Sequence, residues 1–531
     1  MRNRAPALGV ALLLGITAGL LGLSASASGS AASALAVKPK PSPSPSPTPA
    51  PSGTFVKAYA ALVNGSQLNL TPLDVQATSD GGYVALAETQ SAAGLGVDWL
   101  VKLSATGVPQ WQEQVGCASP QGGPGDYAYG VSAQQTADGV SVQRTADGGY
   151  VVAGGTVDCG SGSSCPPLSG RSCALAEKLD AAGKLTWARV YQAGFAGSDI
   201  YQIRQAADGG YIAAGVFTDA GQDSGALLLK LDSAGNVQWQ QDLGPAGSPT
   251  QATFNSVQQT ADGGYVAAGN YYTPTSGPAP TQVLVAKFAA DGSLAWQHGF
   301  ATLTSGGAPA SVADASSIIQ TQDGGYAVAG RWSDRTFNGG AGAQGALLLK
   351  LDATGTLQWQ RAYSGEVYCS GYGCTATGAV SYSLHQTSDG GYLLAGHGDT
   401  ASGYVQLVPW LAKADASGNL LWQHLYYQTY TTGAPLSQYF AASALAPDGG
   451  FTAAGPTENY HAQKNELYAV KTDSSGLAGT CGDVHPAAPL QAINPGLGTV
   501  APSLPLQTGT TQAASSPIAT VATSISTQQD C

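Results

Sequence analysis

Residues 256–300 read SVQQTADGGYVAAGNYYTPTSGPAPTQVLVAKFAADGSLAWQHGF, and this stretch decides the fold. It holds four short apolar runs, SVQQT, YVAAG, VLVAKF and LAWQHGF, each bounded by turn residues, which is the pattern of strands. Between the first two, Asp262-Gly263-Gly264 allows the positive φ angles that a tight hairpin requires. Between the last two, Gly292 stands three residues after the first turn position, which suits a type I turn closed by a G1 bulge.

The unit recurs seven times. SDGGYVALA at Asp80 returns as ADGGYVVAG at Asp147, ADGGYIAAG at Asp208, ADGGYVAAG at Asp262, QDGGYAVAG at Asp323, SDGGYLLAG at Asp389 and PDGGFTAAG at Asp448, at spacings of 67, 61, 54, 61, 66 and 59 residues. The second signature, ALLLKLDSAGNVQW in the third copy, repeats with its turn glycine at Gly107, Gly183, Gly235, Gly292, Gly355, Gly418 and Gly476. Four antiparallel strands repeated seven times at about 60 residues predict an all-β, seven-bladed β-propeller. Copy seven lacks its fourth strand, while GTFVKAYAA at 53–61 aligns with GTLQWQRAY of copy five, with Phe55 in the Trp359 place. The N-terminal strand is therefore expected to complete the last blade and close the ring without an orphan edge. Over residues 54–476 the chain resembles secreted bacterial seven-bladed β-propeller proteins built from D-G-G-Y repeats of about 60 residues. That resemblance implies the fold and a surface or secreted setting, and no particular activity.

The ends divide the remainder. Arg2 and Arg4, an apolar run to Leu23 and A-x-A sites such as Ala34-Leu35-Ala36 read as a secretory signal peptide over 1–36. Residues 37–53 form a Pro/Ser-rich linker, 54–480 the propeller, and 481–531 a low-complexity tail without Trp, Tyr or Phe. The expected location is secreted or cell-surface, with no membrane insertion after leader removal. Composition excludes other classes: of 531 residues 72 are Gly and 30 Pro, and only 10% are charged against a usual ~25%. Loss of Arg2 and Arg4 leaves 19 basic against 33 acidic residues, a charge of −14 that disfavours nucleic acid as a partner.

In such a meander the 1–2 and 3–4 hairpins share one face, uniform in all copies. The 2–3 loops and blade connections share the other, where the sequence varies, as at 154–173, 270–282, 331–345 and 363–382. Binding is expected on that varied face. The cysteines group there as Cys117, Cys159, Cys165 and Cys173, then Cys369 with Cys374, and at the tail Cys481 with Cys531; in an exported chain they read as disulfides.

Seven lysines recur in strand 3, Lys102, Lys178, Lys230, Lys287, Lys350, Lys413 and Lys471, and are expected to pair with Asp80, Asp147, Asp208, Asp262, Asp323, Asp389 and Asp448 as structural elements. The strand-4 tryptophans Trp111, Trp187, Trp239, Trp296, Trp359 and Trp422 read as packing between blades, with the Ala-Gly pair of strand 2 receiving their bulk. Aromatics outside the repeat, Tyr129, Trp332 and Tyr372 among them, are candidates for ligand stacking on loops. Strand 1 lines the channel, so Asp74, Asp199, Asn255, Asp314 and Tyr382 are expected to converge at its mouth on the varied face. Such a ring of oxygens could hold Ca²⁺, although no EF-hand-like loop supports it and no other cofactor is indicated.

Enzyme readings are weaker. The turn D-x-x-G-x-x-x-W departs by one residue from the tryptophan-docking repeat of quinoprotein dehydrogenases, sialidase-like arginines lack a motif, and with six Glu a paired-carboxylate hydrolase would rely on Asp, Asp199 and Asp314 first. The leading expectation is a monomer that binds an extracellular polysaccharide or surface protein without catalysis. A channel-mouth hydrolase or oxidoreductase and a purely structural surface module are the alternatives.

Overall fold

Each D-G-G and D-x-x-G segment folds as the same turn. In the fourth blade Gly263 N–H donates to Thr260 O at 2.9 Å, and Thr260 N–H donates to Gly264 O at 2.8 Å. In the 3–4 turn Gly292 and Ala289 repeat this arrangement at 3.0 and 2.8 Å. The first glycine takes φ near +83° at Gly263 and +86° at Gly292, where a Cβ is strained. The second glycine of D-G-G has a different reason: a Cβ on Gly264 would stand 2.4 Å from both Lys287 Nζ and Phe288 O. Lysine and glycine are thus one device, and the expectation that both glycines serve positive φ holds for the first alone.

The computed structural model describes the blade strands and their turns between residues 53 and 478, together with seven short strands between 484 and 529. Residues 1–52, with the leader and linker, and most of the 2–3 and inter-blade loops lie outside the described residues. Blade 4 is typical: Gln251–Gln259, Tyr265–Tyr272, Gln282–Phe288 and Leu294–Thr302 pair in order as strands 1 to 4, all antiparallel. Seven such blades form the ring of a β-propeller, with no helix among the described residues. The closing strand, Phe55–Val63, pairs with strand 3 of blade 7 from Phe55↔Lys471 to Tyr59↔Leu467, completing that blade from the N-terminal side.

Blades pack through aromatic rings on the glycines of the 3–4 turns. A Cβ on Gly292 would lie 2.8 Å from the Trp239 ring of the preceding blade, and the same relation joins Gly183 to Trp111 and Gly476 to Trp422. At the closure Phe55 takes this role against Gly107. Six of these rings also meet the D-G-G-Y tyrosine of the next blade edge to face, as Trp239 does Tyr265 at 5.6 Å between centroids, while Trp422 meets Phe451 of the seventh copy at a tilt. The Ala-Gly pair therefore does not receive the tryptophan. Its glycine serves strand 1: a Cβ on Gly269 would meet Thr253 O at 2.1 Å and one on Gly330 would meet Asp314 O at 1.9 Å. Opposite these glycines strand 1 bulges, leaving Tyr201, Asn255, Ser316 and Tyr382 out of register and re-aimed.

Side chains near the bulges link strand 1 of one blade to strand 1 of another, which places these strands innermost. Asp74 Oδ2 accepts from Val142 N–H at 2.9 Å, Gln202 Oε1 from Val257 N–H at 2.8 Å, and Ser256 Oγ from Ile318 N–H at 3.1 Å. Near the D-G-G turns a glutamine ladder runs the other way, Gln205 to Ala146, Gln259 to Ala207, Gln320 to Ala261 and Gln386 to Gln322, at 2.7 to 2.8 Å.

Two segments differ from the sequence expectation. Residues 363–382 are not a loop: strand 4 of blade 5 (Leu357–Ser370) runs on and pairs with strand 1 of blade 6 (Gly373–Gln386), which sets Cys369 opposite Cys374. The tail carries strands Val484–Pro486, Gln491–Ile493, Leu497–Val500, Leu506–Gln507, Gln512–Ser515, Ile518–Val521 and Ser524–Gln529. Cys173 is disulfide-bonded, and no cysteine is free among the described residues. Cys117 ends strand 4 of blade 1, while Cys159, Cys165, Cys481 and Cys531 lie outside the described residues.

Candidate functional site: the channel mouth on the varied face

The seven recurrent lysines stand where strand 3 meets the D-G-G turn. Their ammonium groups reach Asp80, Asp147, Asp208, Asp262, Asp323, Asp389 and Asp448 at 2.7 to 2.9 Å. Lys287 also donates to Phe288 O at 3.1 Å, and Thr260 donates to Asp262 at 2.5 Å. The Thr260 hydroxyl and Lys287 hold the Asp262 carboxyl down at about 2. The buried lysine stem and its repetition at every blade fit a structural clamp.

Counted back from the last residue before the D-G-G loop, the five channel candidates occupy different depths. Asp74 stands four residues from Thr78, Asn255 and Tyr382 five from Thr260 and Thr387, and Asp199 and Asp314 seven from Ala206 and Thr321. Because the bulge takes up one residue, Asp199 and Asp314 stand two register positions beyond Asp74, opposite Val216 and Arg331 where Asp74 faces Leu86, and at about 3.3 Å per residue lie roughly 7 Å nearer the varied face. They do not form one ring. Asp74 is latched within the channel wall, where burial lifts its carboxyl to about 6 against the hydrogen bond from Val142. Asn255 donates to Ala315 O of the next blade at 2.8 Å, and Asn270 accepts from Ala315 N–H at the same distance, so both serve a blade junction. Asp199 sits against Gly155, where a Cβ would meet its Oδ1 at 2.0 Å. Among the described residues no group of three or more His, Cys, Asp or Glu could hold a metal ion.

The remaining pair, Asp314 and Tyr382, belongs to a compact cluster on blades 5 to 7. Asp314 lies opposite Arg331 in the register and accepts from its guanidinium through both Nε, at 2.9 Å, and Nη2. Arg331 stays 43% exposed along its side chain, so it is held in place while still open to a ligand. Tyr382, aimed inward by its bulge, places its hydroxyl 3.1 Å from His397 Nδ1 and its ring edge to face with Tyr439, centroids 5.6 Å apart. Burial, then the Arg331 charge, lowers His397 to about 4, so its ring is neutral at pH 7 and shares one hydrogen bond with the Tyr382 hydroxyl, whose direction the ring tautomer sets. Burial pushes the Tyr382 hydroxyl well above its usual range. The cluster thus offers a fixed cation, a carboxylate, a neutral imidazole and two aromatic rings.

Sequence reasoning missed Arg331, His397 and Tyr439. The first two share one column, the residue after the Ala-Gly pair, which reads Glu88, Gly155, Val216, Asn270, Arg331, His397 and Pro456 through the seven copies. A variable column inside a uniform repeat was the available signal. Of the loop aromatics, Trp332 is corrected: it is 2% exposed and packs with Val283, Phe300 and Leu347 in the core between blades 4 and 5. Its alternation along strand 2 sends it to the opposite side from Arg331. Tyr129 pairs with Gly155 through its backbone, and Tyr372 lies outside the described residues.

Deeper in the channel, Arg204 donates to Gln202 at 3.3 Å, and His385 meets Ser443 O at 2.6 Å. Burial lowers His385 to about 4 despite that hydrogen bond. Ser383, Ser443 and His385 form a continuous polar network across blades 6 and 7.

The fold and this mouth define the class: a seven-bladed β-propeller closed by its N-terminal strand. No family model matches the chain, and no curated protein matches it. Among solved structures it is similar to an endo-arabinase from Bacteroides thetaiotaomicron VPI-5482, with TM-score 0.27 and 13% identity over 52% of this chain and 93% of that one. It is also similar to a eukaryotic initiation factor (0.31, 9%, over 82% and 97%) and to a β-1,2-mannobiose phosphorylase from Listeria innocua (0.26, 10%, over 78% and 92%). At such scores the likeness adds nothing to the reading of the site.

Proposed function

We propose that this propeller is a secreted or cell-surface protein that binds an extracellular polysaccharide at its channel mouth without transforming it. The observation that carries the reading is the juxtaposition of Arg331, held by Asp314 yet partly exposed, with the Tyr382–His397 hydrogen bond and the Tyr382–Tyr439 ring pair. Sugars present hydroxyl groups to such donors and acceptors and apolar ring faces to aromatic side chains. General acid–base catalysis needs a group that exchanges protons near the working pH. At this mouth burial holds His397 near 4 and Tyr382 far above neutrality, which supports binding over turnover.

The test is a pull-down of the disulfide-intact protein on insoluble polysaccharides, with parallel EDTA and Ca²⁺ arms. Saturable binding that Arg331→Ala weakens at least about tenfold supports the reading. Calcium dependence would add a cation to the mouth. Release of reducing sugar from the bound polymer would replace binding by hydrolysis, and uniform silence would overturn the polysaccharide assignment in favour of a surface protein partner.

A further inference from the structure

The C-terminal strands lie along the outer edges of all seven blades. Val484–Pro486 pairs with strand 4 of blade 6, Gln491–Ile493 with blade 5, Leu497–Val500 with blade 4 and Leu506–Gln507 with blade 3. Gln512–Ser515 then pairs with blade 2, Ile518–Val521 with blade 1, and Ser524–Gln529 with the closing strand of blade 7. Every pairing is antiparallel, and the segment visits the blades in the order opposite to that of the chain.

The composition of the segment suits this course. Strand 4 is the outermost strand of a blade and would otherwise present unpaired N–H and C=O groups. Between 482 and 530 only Asp483 and Asp530 carry formal charge, so little opposes close pairing. Five of the six prolines, Pro489, Pro495, Pro502, Pro505 and Pro517, fall between the paired strands, where no ladder donor is lost, and Pro486 stands at the end of the first strand, opposite His424. A tail without aromatic residues builds no core of its own, but it needs none when its backbone completes existing sheets.

The pairing is uneven. On blade 3 it covers Asp242↔Gln507 and Leu243↔Leu506 alone. On blade 7 it is longest, running from Lys57↔Gln529 to Leu62↔Ser524 along the closing strand. That strand comes from the far end of the sequence and is held on its other side through Phe55 to Tyr59. Residues Ala60 to Leu62 extend past that pairing and are covered by Ser524 to Ser526.

We propose that residues 484–529 form a belt whose last strand locks the ring-closing strand in place. The ring is then shut by two chain ends meeting side by side in blade 7, one completing the blade and the other pinning it. Neighbouring residues of a strand direct their N–H groups to opposite sides. Replacing both Ser526 and Thr527 by Pro therefore removes a donor aimed at the closing strand whichever side it faces.

Hydrogen exchange read by mass spectrometry on the full, oxidised chain tests this. In S526P/T527P, peptides covering 55–62 should exchange about tenfold faster than in the wild type, while those covering Tyr265–Tyr272 in blade 4 keep their rate. L506P/Q507P, at the two-residue contact on blade 3, should leave 55–62 unchanged. Should the first variant fail to fold, a chain ending at residue 523 removes the same strand and is read the same way. Wild-type exchange across 55–62 in a folded variant lacking the last strand's pairing overturns the proposal.

Discussion

Replacing Asp98 by Asn should stabilise the protein, and more so as the pH rises. Asp98 and Glu88 stand opposite each other in blade 1, and with Glu177 of blade 2 they are 3%, 6% and 1% exposed. Their alternation matches that of Val84, Leu86 and Leu100, and of Leu179, which pack between these blades, so the three carboxyls share an otherwise apolar interface. The equivalents of Asp98 in blades 2, 3 and 5 are Ala174, Ala226 and Ala346, and those of Glu177 in blades 3 and 5 are Leu229 and Leu349. Among the described residues Asp98 Oδ1 and Glu177 Oε2 have no hydrogen-bond partner. Burial raises Asp98 from 3.8 to about 7, and burial together with the Asp98 charge raises Glu88 to about 8 and Glu177 well above its usual range. Between 3.8 and about 7 the unfolded chain has lost the Asp98 proton while the folded chain keeps it, so rising pH favours unfolding. At 1.36 kcal/mol per pH unit, the carboxyl costs about 1 to 2 kcal/mol at pH 5 and about 4 kcal/mol above pH 7. Asn keeps the shape without the charge. Denaturant unfolding followed by tryptophan fluorescence should therefore show the advantage of Asp98→Asn growing by about 3 kcal/mol between pH 5 and pH 8. Parallel stability curves for the two proteins would refute the reasoning.

The paired glycines should respond differently to alanine. Gly263→Ala, in open space at positive φ, should cost about 1 kcal/mol, whereas Gly264→Ala drives a Cβ into the Lys287 ammonium and the Phe288 carbonyl and should cost at least about twice that. Denaturation midpoints of the two variants decide it, and equal losses would contradict the clamp. Trp239→Ala empties the seat on Gly292 and the edge of Tyr265 and should cost about 3 kcal/mol, read as a lowered Tm; a change within measurement error would remove the ring-on-glycine account of blade packing.

The blade count, strand order and closure were legible because each rests on a local rule repeated seven times. Turn glycines, apolar runs and the missing fourth strand of copy seven all pointed to one ring, and Phe55 stands on Gly107 as a repeat tryptophan stands on its own turn glycine. The bulge was less legible, since its signal is a strand-2 glycine whose reason lies in the backbone of strand 1. Counting back from the D-G-G turn ranks the depths of Asp74, Asn255 and Asp314, but it overstates their separation, because the bulge takes up one residue. Trp332 reads as an exposed loop aromatic only if strand 2 ends early. The strand continues to Asp334, and alternation buries the ring. The belt was unreadable for a different cause: its strands are two to six residues long and owe their form to edges supplied by the rest of the chain.

The most direct measurement is affinity electrophoresis of the wild-type protein and two variants through gels containing soluble polysaccharides. Arg331→Ala alters the mouth, and Asn236→Ala alters an exposed 3–4 turn on the uniform face. The account predicts that one polysaccharide retards the wild type and Asn236→Ala equally while Arg331→Ala migrates as in a blank gel. Equal retardation of all three, or retardation lost only in Asn236→Ala, would contradict a binding site at the channel mouth.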